Sequence, residues 1–463
     1  MNVYVESGIH LSEMAQATGG TLLGCDSEVR TITTDSRSVE PGAMFIAIRG
    51  ERFDGHDYIN KAYEAGAACV LAECIPEGII PLGAGGLVVE NSVKALGDIA
   101  KFRKDCVSPY TVGVTGSTGK TTTKEFIYSV LSAQAKTHKT EGNFNNDIGM
   151  PLTMLKIENG CRYLVLEMGM SGPGEIEYLS RLARPDMAVI TNIGDSHIEH
   201  FGSREGIRDA KMEIVAGLRE GGKVILNGDE PLLSGVDGGI YVSMKDANAD
   251  YYVSDVADHG MCTTFHVTHG GTTVKDLSIP VLGEHNVFDA ALAYAVGAEL
   301  GMTEEKLREG LNNFKNTGMR QNIYVSSDVT VIEDCYNAAP ASMSASLSVL
   351  SMIAKREGGR SIAVLGDMRE LGDFSRSLHQ EVGGKVAELG IDRLYTFGEE
   401  AAYIAEGAAQ AGMRAEDISV FRDLDDPEAL ARVLRDDVRA TDAILFKASR
   451  AVALERVIDA MKG

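Results

Sequence analysis

Residues 110–124 read YTVGVTGSTGKTTTK: a β-branched run, then two glycines, a lysine and consecutive threonines. Those residue types in that order make a cradle for phosphate. Gly116 and Gly119 let the backbone, through Ser117 and Thr118, come close to anionic oxygens. A helix opening at Lys120 turns its N-terminal N–H groups toward them. Lys120 can reach the β- and γ-phosphates of a nucleoside triphosphate, and the Thr121 hydroxyl, with Thr122 beside it, is placed for Mg²⁺. The glycine that usually leads such a loop, five residues before Gly119, is Val114 here. The working motif is therefore TGSTGKT, and it predicts phosphate chemistry on a bound nucleotide.

Other reactive side chains stand where apolar runs end. Glu167 closes YLVLE and His197 lies in TNIGDSHIEH after the next apolar run. A carboxylate and an imidazole at neighbouring strand tips suit a divalent cation, although Mg²⁺ prefers oxygen ligands. For His197 the plainer alternative is a hydrogen-bonded loop histidine; His200 reads as surface. Lys211, in the amphipathic stretch RDAKMEIVAGL, reads either as a solvated lysine or as one carbamylated by CO₂ to give a further carboxylate for metal. The segment TEGNFNNDIGMPLT places Asn143, Asn145 and Asn146 within four positions. That density fits recognition of a polar substrate, and equally fits an Asx-rich loop that satisfies its own backbone. Near the end of the chain LFKASR gathers Lys447, Ser449 and Arg450, a cationic and hydroxyl cluster suited to a carboxylate.

The elements that must position these groups follow from the pattern of apolar runs. YLVLEMG, MAVITNIGDSH and KVILNGDE are apolar runs with polar ends, as buried parallel strands are at their carboxyl ends. Residues 250–282 break that rhythm and predict an antiparallel β excursion, after which NVFDAALAYAVGAELG predicts a helix. SIAVLGDM, DRLYTFG, DISVFRD and DAILFKAS then alternate with helical stretches such as HQEVGGKVAELG, PEALARVLRDDV and RAVALERVIDAMKG. The expected fold class is α/β in three domains. A small α/β domain spans 1–108, with KDCVSPY as its joint to the next. A central P-loop domain with a parallel sheet and an antiparallel portion spans 109–316, and a Rossmann-like α/β domain spans 317–463.

Bulk properties narrow the class further. The chain has 463 residues and a net charge of −23, which argues against nucleic acid as a partner. Its seven cysteines are scattered without a C-x-x-C pair, as in a reduced cytosolic protein. The N-terminus lacks a signal-like apolar region, and no window approaches the ~18 apolar residues of a membrane span. A soluble cytoplasmic protein without membrane contact is expected, and its acidic surface favours a monomer.

Taken together, TDSRSVEPGAMFIAIRGERFDGHDY, TGSTGKTTTK, GNFNNDIGMPLT, LEMGMSGPGEI, TNIGDSHIEHFGS, YNAAP and GDMRELG resemble the Mur ligases, ATP-dependent amide-bond-forming enzymes of bacterial peptidoglycan synthesis. The likeness runs through all three parts, and YNAAP and GDMRELG point to the dipeptide-adding branch. The resemblance implies that D-alanyl-D-alanine is joined to a UDP-N-acetylmuramoyl-tripeptide through an acyl phosphate. ATP and Mg²⁺ would be the cofactors and these small molecules the partners. It implies that Lys120 and Thr121 handle the phosphates and Mg²⁺, and that Glu167 and His197 bind metal. Lys211 matches the lysine that some relatives carbamylate. Asn286 would line the adenine pocket, with Arg320 and Asp334 reaching the nucleotide. Ser36 and Arg37 would lie near the uridine diphosphate, and Asn337 with the KASR cluster would face the incoming amino component. The family often has asparagine at the positions of Asp289 and Ala339, and glycine at that of Ala448. Competing readings are a ligase of another substrate class, such as folylpolyglutamate synthase, and a P-loop nucleotide switch. The absence of an N-K-x-D motif and the presence of GNFNN, YNAAP and GDMRELG disfavour them.

Overall fold

Three sheets arise in chain order from the runs just described. The computed structural model describes residues 2–50 and 53–462; Glu51 and Arg52, in the loop ERFDGHDY, lie outside the described residues. Two compact units account for the packing. One holds residues 1–115, 131–189 and 212–224, and the other holds 116–130, 190–211 and 225–463.

The first sheet has six strands, in the order Asn2–His10, Glu28–Thr33, Met44–Ile46, Cys69–Ala72, Gly85–Val88 and Thr21–Gly24. Its four inner strands run parallel, and the two edge strands are antiparallel to their neighbours. Strands of three and four residues suffice at Met44–Ile46 and Cys69–Ala72 because both are buried along their whole length. Helix Ser92–Val107 leaves this sheet and stops at Ser108, which adopts a left-handed conformation (φ 52°) immediately before Pro109. A left-handed cap followed by proline ends a helix cleanly, and it does so here within KDCVSPY.

The central sheet has nine strands, ordered Thr272–Ile279, Cys262–His269, Tyr251–His259, Gly239–Ser243, Lys223–Asn227, Met187–Ile190, Tyr110–Thr115, Tyr163–Glu167 and Thr137–Lys139. Tyr163–Glu167 runs parallel to Tyr110–Thr115, with Glu167 opposite Val114. The strands from 251 to 279 form the expected antiparallel meander, and helix Glu284–Glu299 follows, buried along most of its length. Two glycines allow close packing here: on this helix a Cβ on Gly297 would lie 2.5 Å from Leu307, and on helix Glu304–Asn312 one on Gly310 would lie 2.4 Å from the Val130 backbone.

The last sheet runs Asn322–Ser326, Val329–Asp334, Ala443–Lys447, Ser361–Gly366, Arg393–Phe397 and Ile418–Phe421. It is parallel except for an antiparallel edge hairpin, Asn322–Ser326 with Val329–Asp334, that the strand–helix rhythm did not announce. Its core on one face joins Ile362, Val364, Tyr395, Ile444 and Phe446 to Leu430, Leu434 and Val457 of the covering helices. Two helices are shorter than their apolar periodicity suggests. RAVALERVIDAMKG begins as a 3₁₀ turn at Arg450–Val452, and left-handed Ala453 (φ 52°) delays the α-helix to Glu455–Lys462. In RDAKMEIVAGL the α-helix covers Arg204–Met212 and tightens to 3₁₀ over Glu213–Gly217. There Gly217 must pass the Ser180 carbonyl, which a Cβ would meet at 2.0 Å.

Candidate active site

Strand Tyr110–Thr115 feeds directly into the phosphate loop. Val114 is fully buried in the sheet and paired with Glu167; that position belongs to the strand, so a glycine is not needed there. Thr115 Oγ1 donates to the Met168 carbonyl at 2.9 Å, fixing the strand's end to the strand that carries Glu167. The glycines then do what their conformations require. Gly116 has φ 146° and Gly119 φ 78°; a Cβ on Gly116 would fall 1.9 Å from Thr191 Oγ1, and one on Gly119 2.7 Å from Asp289 Oδ1.

The segment after strand Met187–Ile190 braces the loop. Ser117 N–H donates to the Asn192 carbonyl (3.1 Å) and Thr118 N–H to Asn192 Oδ1 (2.9 Å). Asn192 Nδ2 donates to Thr118 Oγ1 (2.6 Å), Thr191 Oγ1 to the Thr118 carbonyl (2.5 Å), and Gly194 N–H to Ser117 Oγ (2.9 Å). Ser117 and Thr118 thus spend their N–H groups on Asn192 and hold the loop's shape, contrary to the expectation that their backbone meets the anion. Thr191 and Asn192 were not singled out from the sequence. Their signal was present only as polar residues immediately after an apolar run.

Lys120 Nζ lies over the loop, donating to the carbonyls of Gly116 (2.7 Å) and Ser117 (3.2 Å). Thr121 is buried and opens helix Lys120–Ser132, with Thr122 partly exposed beside it. One turn on, Thr123 Oγ1 donates to Asp289 Oδ1 at 2.9 Å. Burial pushes the Asp289 carboxyl up to about 8, against the opposing pull of the Thr123 hydroxyl and Arg320.

Glu167 is 3% exposed, and its Oε1 accepts from Asn145 Nδ2 at 2.9 Å. The three asparagines therefore part company. Asn145 serves Glu167. Asn146 Oδ1 accepts from Gly149 N–H (2.8 Å) at the start of helix Gly149–Leu155, the self-satisfying role. Asn143 is exposed. His197 adopts a left-handed conformation (φ 65°) ahead of helix Ile198–Phe201, and its Nδ1 pairs with the carboxylate of Glu370, from the GDMRELG turn. His200 is exposed, as read from the sequence. Lys211 is 1% exposed, so the solvated reading of this lysine does not hold.

The remaining predicted residues lie in two groups. Asn286 Nδ2 donates to the Leu282 carbonyl (2.7 Å) and to Gln321 Oε1 (2.6 Å), and Gln321 Nε2 donates to the same carbonyl (2.9 Å). The Arg320 guanidinium stacks 4.3 Å over the Tyr336 ring. Asp334 accepts from Lys447 Nζ (2.6 Å), Ser346 Oγ (2.7 Å) and Gln321 N–H (3.2 Å). Lys447 also donates to the Asn337 carbonyl (3.1 Å), while the Asn337 side chain is exposed. Ser449 is buried and its Oγ accepts from Arg369 N–H (3.0 Å); Arg450 pairs with Glu455. KASR is therefore not one convergent cationic cluster: each member has its own partner. Ala448 is fully buried against Gly366, where a Cβ would lie 2.7 Å from its own, and buried Ala339 precedes helix Pro340–Glu357. In the first unit, Ser36 and Arg37 form a 3₁₀ turn capped by Asp35, which Arg37 grips with Nε (2.9 Å) and Nη2 (2.8 Å).

Family models match three successive stretches: the Mur ligase family catalytic domain at residues 28–104, the Mur ligase middle domain at 114–297 and the Mur ligase glutamate ligase domain at 319–450. The UDP-N-acetylmuramoyl-tripeptide–D-alanyl-D-alanine ligase of Bacillus subtilis (strain 168) is 41% identical over 97% of both chains. The chain belongs to the Mur ligase family. Among solved Mur ligase structures, MurF from Acinetobacter baumannii is 30% identical with a TM-score of 0.89, covering 98% of this chain and 100% of its own. MurF from Thermotoga maritima, solved in complex with ADP, is 32% identical with a TM-score of 0.81, covering 93% and 96%. The expected three-part α/β Mur ligase architecture is the one observed, and the family uses ATP.

Proposed function

We propose that this chain is an ATP-dependent ligase joining the amine of D-alanyl-D-alanine to the terminal carboxylate of a UDP-N-acetylmuramoyl-tripeptide. One observation carries the reading: the end-to-end likeness to a ligase of that name, across 97% of each chain. The phosphate loop braced by Thr191 and Asn192 supports the ATP-using half of the reaction.

The reaction runs in two steps. The tripeptide carboxylate attacks the γ-phosphorus of ATP, giving an acyl phosphate and ADP. The dipeptide amine then adds to the acyl carbon, loses a proton and expels inorganic phosphate through a tetrahedral intermediate. A carboxylate and a triphosphate repel one another, so catalysis is mainly charge neutralisation and positioning. Lys120 and the N-terminus of its helix supply the protein's share, and no covalent nucleophile on the enzyme is required.

By chemical type, the Thr121 hydroxyl and the Glu167 carboxylate are each groups that would suit Mg²⁺, and His197 would offer a nitrogen to a second ion. Among the described residues no three acidic, histidine or cysteine side chains form a ready-made cage, and Mg²⁺ bound with nucleotide phosphates and water needs none. When bound, Mg²⁺ withdraws charge from the phosphoryl oxygens. A carbamate on buried Lys211 would add an oxygen ligand. Ser36 and Arg37 meet the uridine diphosphate, with Asn143 toward the peptide and Asn145 and Asn146 beside it through their bonds to Glu167 and Gly149. Asn337 and Arg450 meet the dipeptide, with Lys447 and Ser449 beside them held by Asp334 and Arg369. Asn286, Arg320 and Asp334 serve the nucleotide. No helix among the described residues is long and apolar enough to cross a membrane, and a cytoplasmic monomer acting on small molecules, not on nucleic acid or membrane, completes the proposal.

The test is phosphate release from ATP with the UDP-linked tripeptide, with and without D-alanyl-D-alanine, repeated for Lys120→Ala. Release that needs the dipeptide, yields the UDP-linked pentapeptide and vanishes in the variant is expected. Release driven instead by a folate and glutamate would replace this substrate assignment.

A further inference from the structure

Strand Lys223–Asn227 of the central sheet runs into the turn formed by Asn227, Gly228, Asp229 and Glu230, the polar end of KVILNGDE. The rear of this turn is fastened to the chain that follows strand Gly239–Ser243. Gly228 N–H donates to the Val242 carbonyl (2.7 Å), and Asp229 accepts from Met244 N–H (3.0 Å). Asn227 Oδ1 accepts from Asp229 N–H (2.8 Å), which sets the Asn227 amide. Its Nδ2 then donates to the Thr191 carbonyl at 2.8 Å.

Glu230 makes a second crossing to the same segment. Its side chain is 9% exposed, and its carboxylate accepts from Leu232 N–H (3.2 Å) and from Arg204 Nη2 (2.9 and 3.1 Å). The same Nη2 donates to the Ile193 carbonyl at 2.5 Å. One guanidinium nitrogen thus links a buried carboxylate to a backbone carbonyl, and charge-assisted bonds of this kind are the stronger ones.

Thr191 and Ile193 flank Asn192, which takes the N–H groups of Ser117 and Thr118. The carbonyls of 191 and 193 are held from behind by the turn. The groups between and beside them face the phosphate loop: Thr191 Oγ1, the Asn192 side chain and Gly194 N–H. Turn, brace and loop form successive layers, and the outer layer acts on the loop through residues 191–194.

We infer that Asn227 and the Arg204–Glu230 pair are positioning residues for nucleotide binding, holding residues 191–193 in the register that shapes the phosphate loop. The inference rests on the reading of TGSTGKT as the site of the nucleotide's phosphates. It gives the polar end of KVILNGDE a task.

The experiment measures binding of a fluorescent ATP analogue to the full-length protein. Asn227→Asp keeps the size of the side chain and the acceptor for Asp229 N–H, but sets an oxygen against the Thr191 carbonyl. Arg204→Met removes the donor to Ile193, and Arg204→Lys keeps a cation there. Asn227→Asp and Arg204→Met are each expected to weaken binding roughly tenfold, the worth of about one hydrogen bond, and Arg204→Lys to recover part of the loss. A general loss of structure is told apart by coupling. In an Asn192→Ala background, where the brace is already cut, Asn227→Asp should cost no more than about threefold. Should Asn227→Asp fail to fold, Arg204→Met in the same two backgrounds decides. Wild-type affinity in Asn227→Asp or Arg204→Met, or equal losses in the two backgrounds, overturns the inference. Failure of the wild type to bind the analogue, or binding unchanged by Lys120→Ala, overturns the phosphate-site reading itself.

Discussion

Lys447 Nζ lies 2.6 Å from Asp334 Oδ2, and the two residues face each other across adjacent parallel strands with side chains 3% and 13% exposed. A lysine that looks, in LFKASR, like a free cation for a substrate carboxylate is thus already an internal partner. Burial opposes ionisation of Asp334, but Lys447 and the hydrogen bonds from Ser346 and Gln321 outweigh it and hold the carboxyl below its usual range.

Removing one half of that pair strands the other. Lys447→Met is expected to cost about 3–5 kcal/mol, as for other broken buried pairs, and adding Asp334→Asn should recover part of it. Chemical denaturation of the single and double variants measures this. Because the folded Asp334 carboxyl is depressed, its stabilisation is present above the ordinary carboxylate value and is lost as pH falls through the folded one. A Lys447→Met cost below about 1 kcal/mol would place the pair with surface bridges and refute the buried-pair account.

The loop glycines allow a sharper test of the nucleotide site. Gly116→Ala forces a side chain into a left-handed conformation and onto Thr191 Oγ1. Strain of about 1–3 kcal/mol, if borne by the binding-competent loop, weakens nucleotide affinity by roughly 10- to 100-fold. Binding of a fluorescent ATP analogue reads the effect directly. Adding Thr191→Ala should restore part of it, since the nearest atom goes, although its bond to the Thr118 carbonyl goes too. Wild-type affinity in Gly116→Ala would mean that the loop does not meet the phosphates.

Local chemistry made the loop, the meander and the strand order's ingredients legible, because glycine spacing, alternation and apolar runs are short-range signals. Partnerships were not legible where they join residues far apart in the chain. The amphipathic stretch around Lys211 left a solvated lysine and a carbamylated one both open, and burial of the side chain rules out only the first. Nothing near Glu370 in sequence announces His197, and nothing near Asn286 announces Gln321. The departure at Val114 looked like a defect in the motif and proved to be a core strand position, since the motif's register with the sheet is set by Glu167 opposite it.

Gln321 supplies a prediction of its own. With both its acceptor and the Leu282 carbonyl accepting hydrogen bonds from Asn286 Nδ2, the amide is oriented, and if Asn286 meets the base as proposed, Oδ1 is the atom it offers. An acceptor there suits the exocyclic amine of adenine and repels the carbonyl of guanine. Gln321→Leu is therefore expected to narrow the preference for ATP over GTP in kcat/KM by roughly tenfold, the worth of about one hydrogen bond. An unchanged ratio would remove Asn286 from base recognition.

Asp289 stands behind the phosphate loop as an acid that burial keeps protonated to about pH 8. In the unfolded chain it would titrate near the ordinary carboxylate value of 3.8. Between those two values the folded protein holds a proton that the unfolded chain has released, so stability falls as pH rises across this window and levels off above it. Asp289→Asn keeps an amide oxygen for the Thr123 hydroxyl and removes the titration. The variant should match the wild type near the lower end of the window and exceed it by about 1–3 kcal/mol at the upper end, a fraction of the ~1.4 kcal/mol per unit that a full shift allows. Thermal unfolding of both proteins at about pH 5, 7 and 8.5 measures this, and parallel curves would refute it. The same ionisation bears on binding. Asp289 Oδ1 sits where a Gly119 side chain would be, so an anion formed there opposes the phosphates that the loop collects. Nucleotide affinity in the wild type should therefore decline as pH passes about 8 and hold steady in Asp289→Asn.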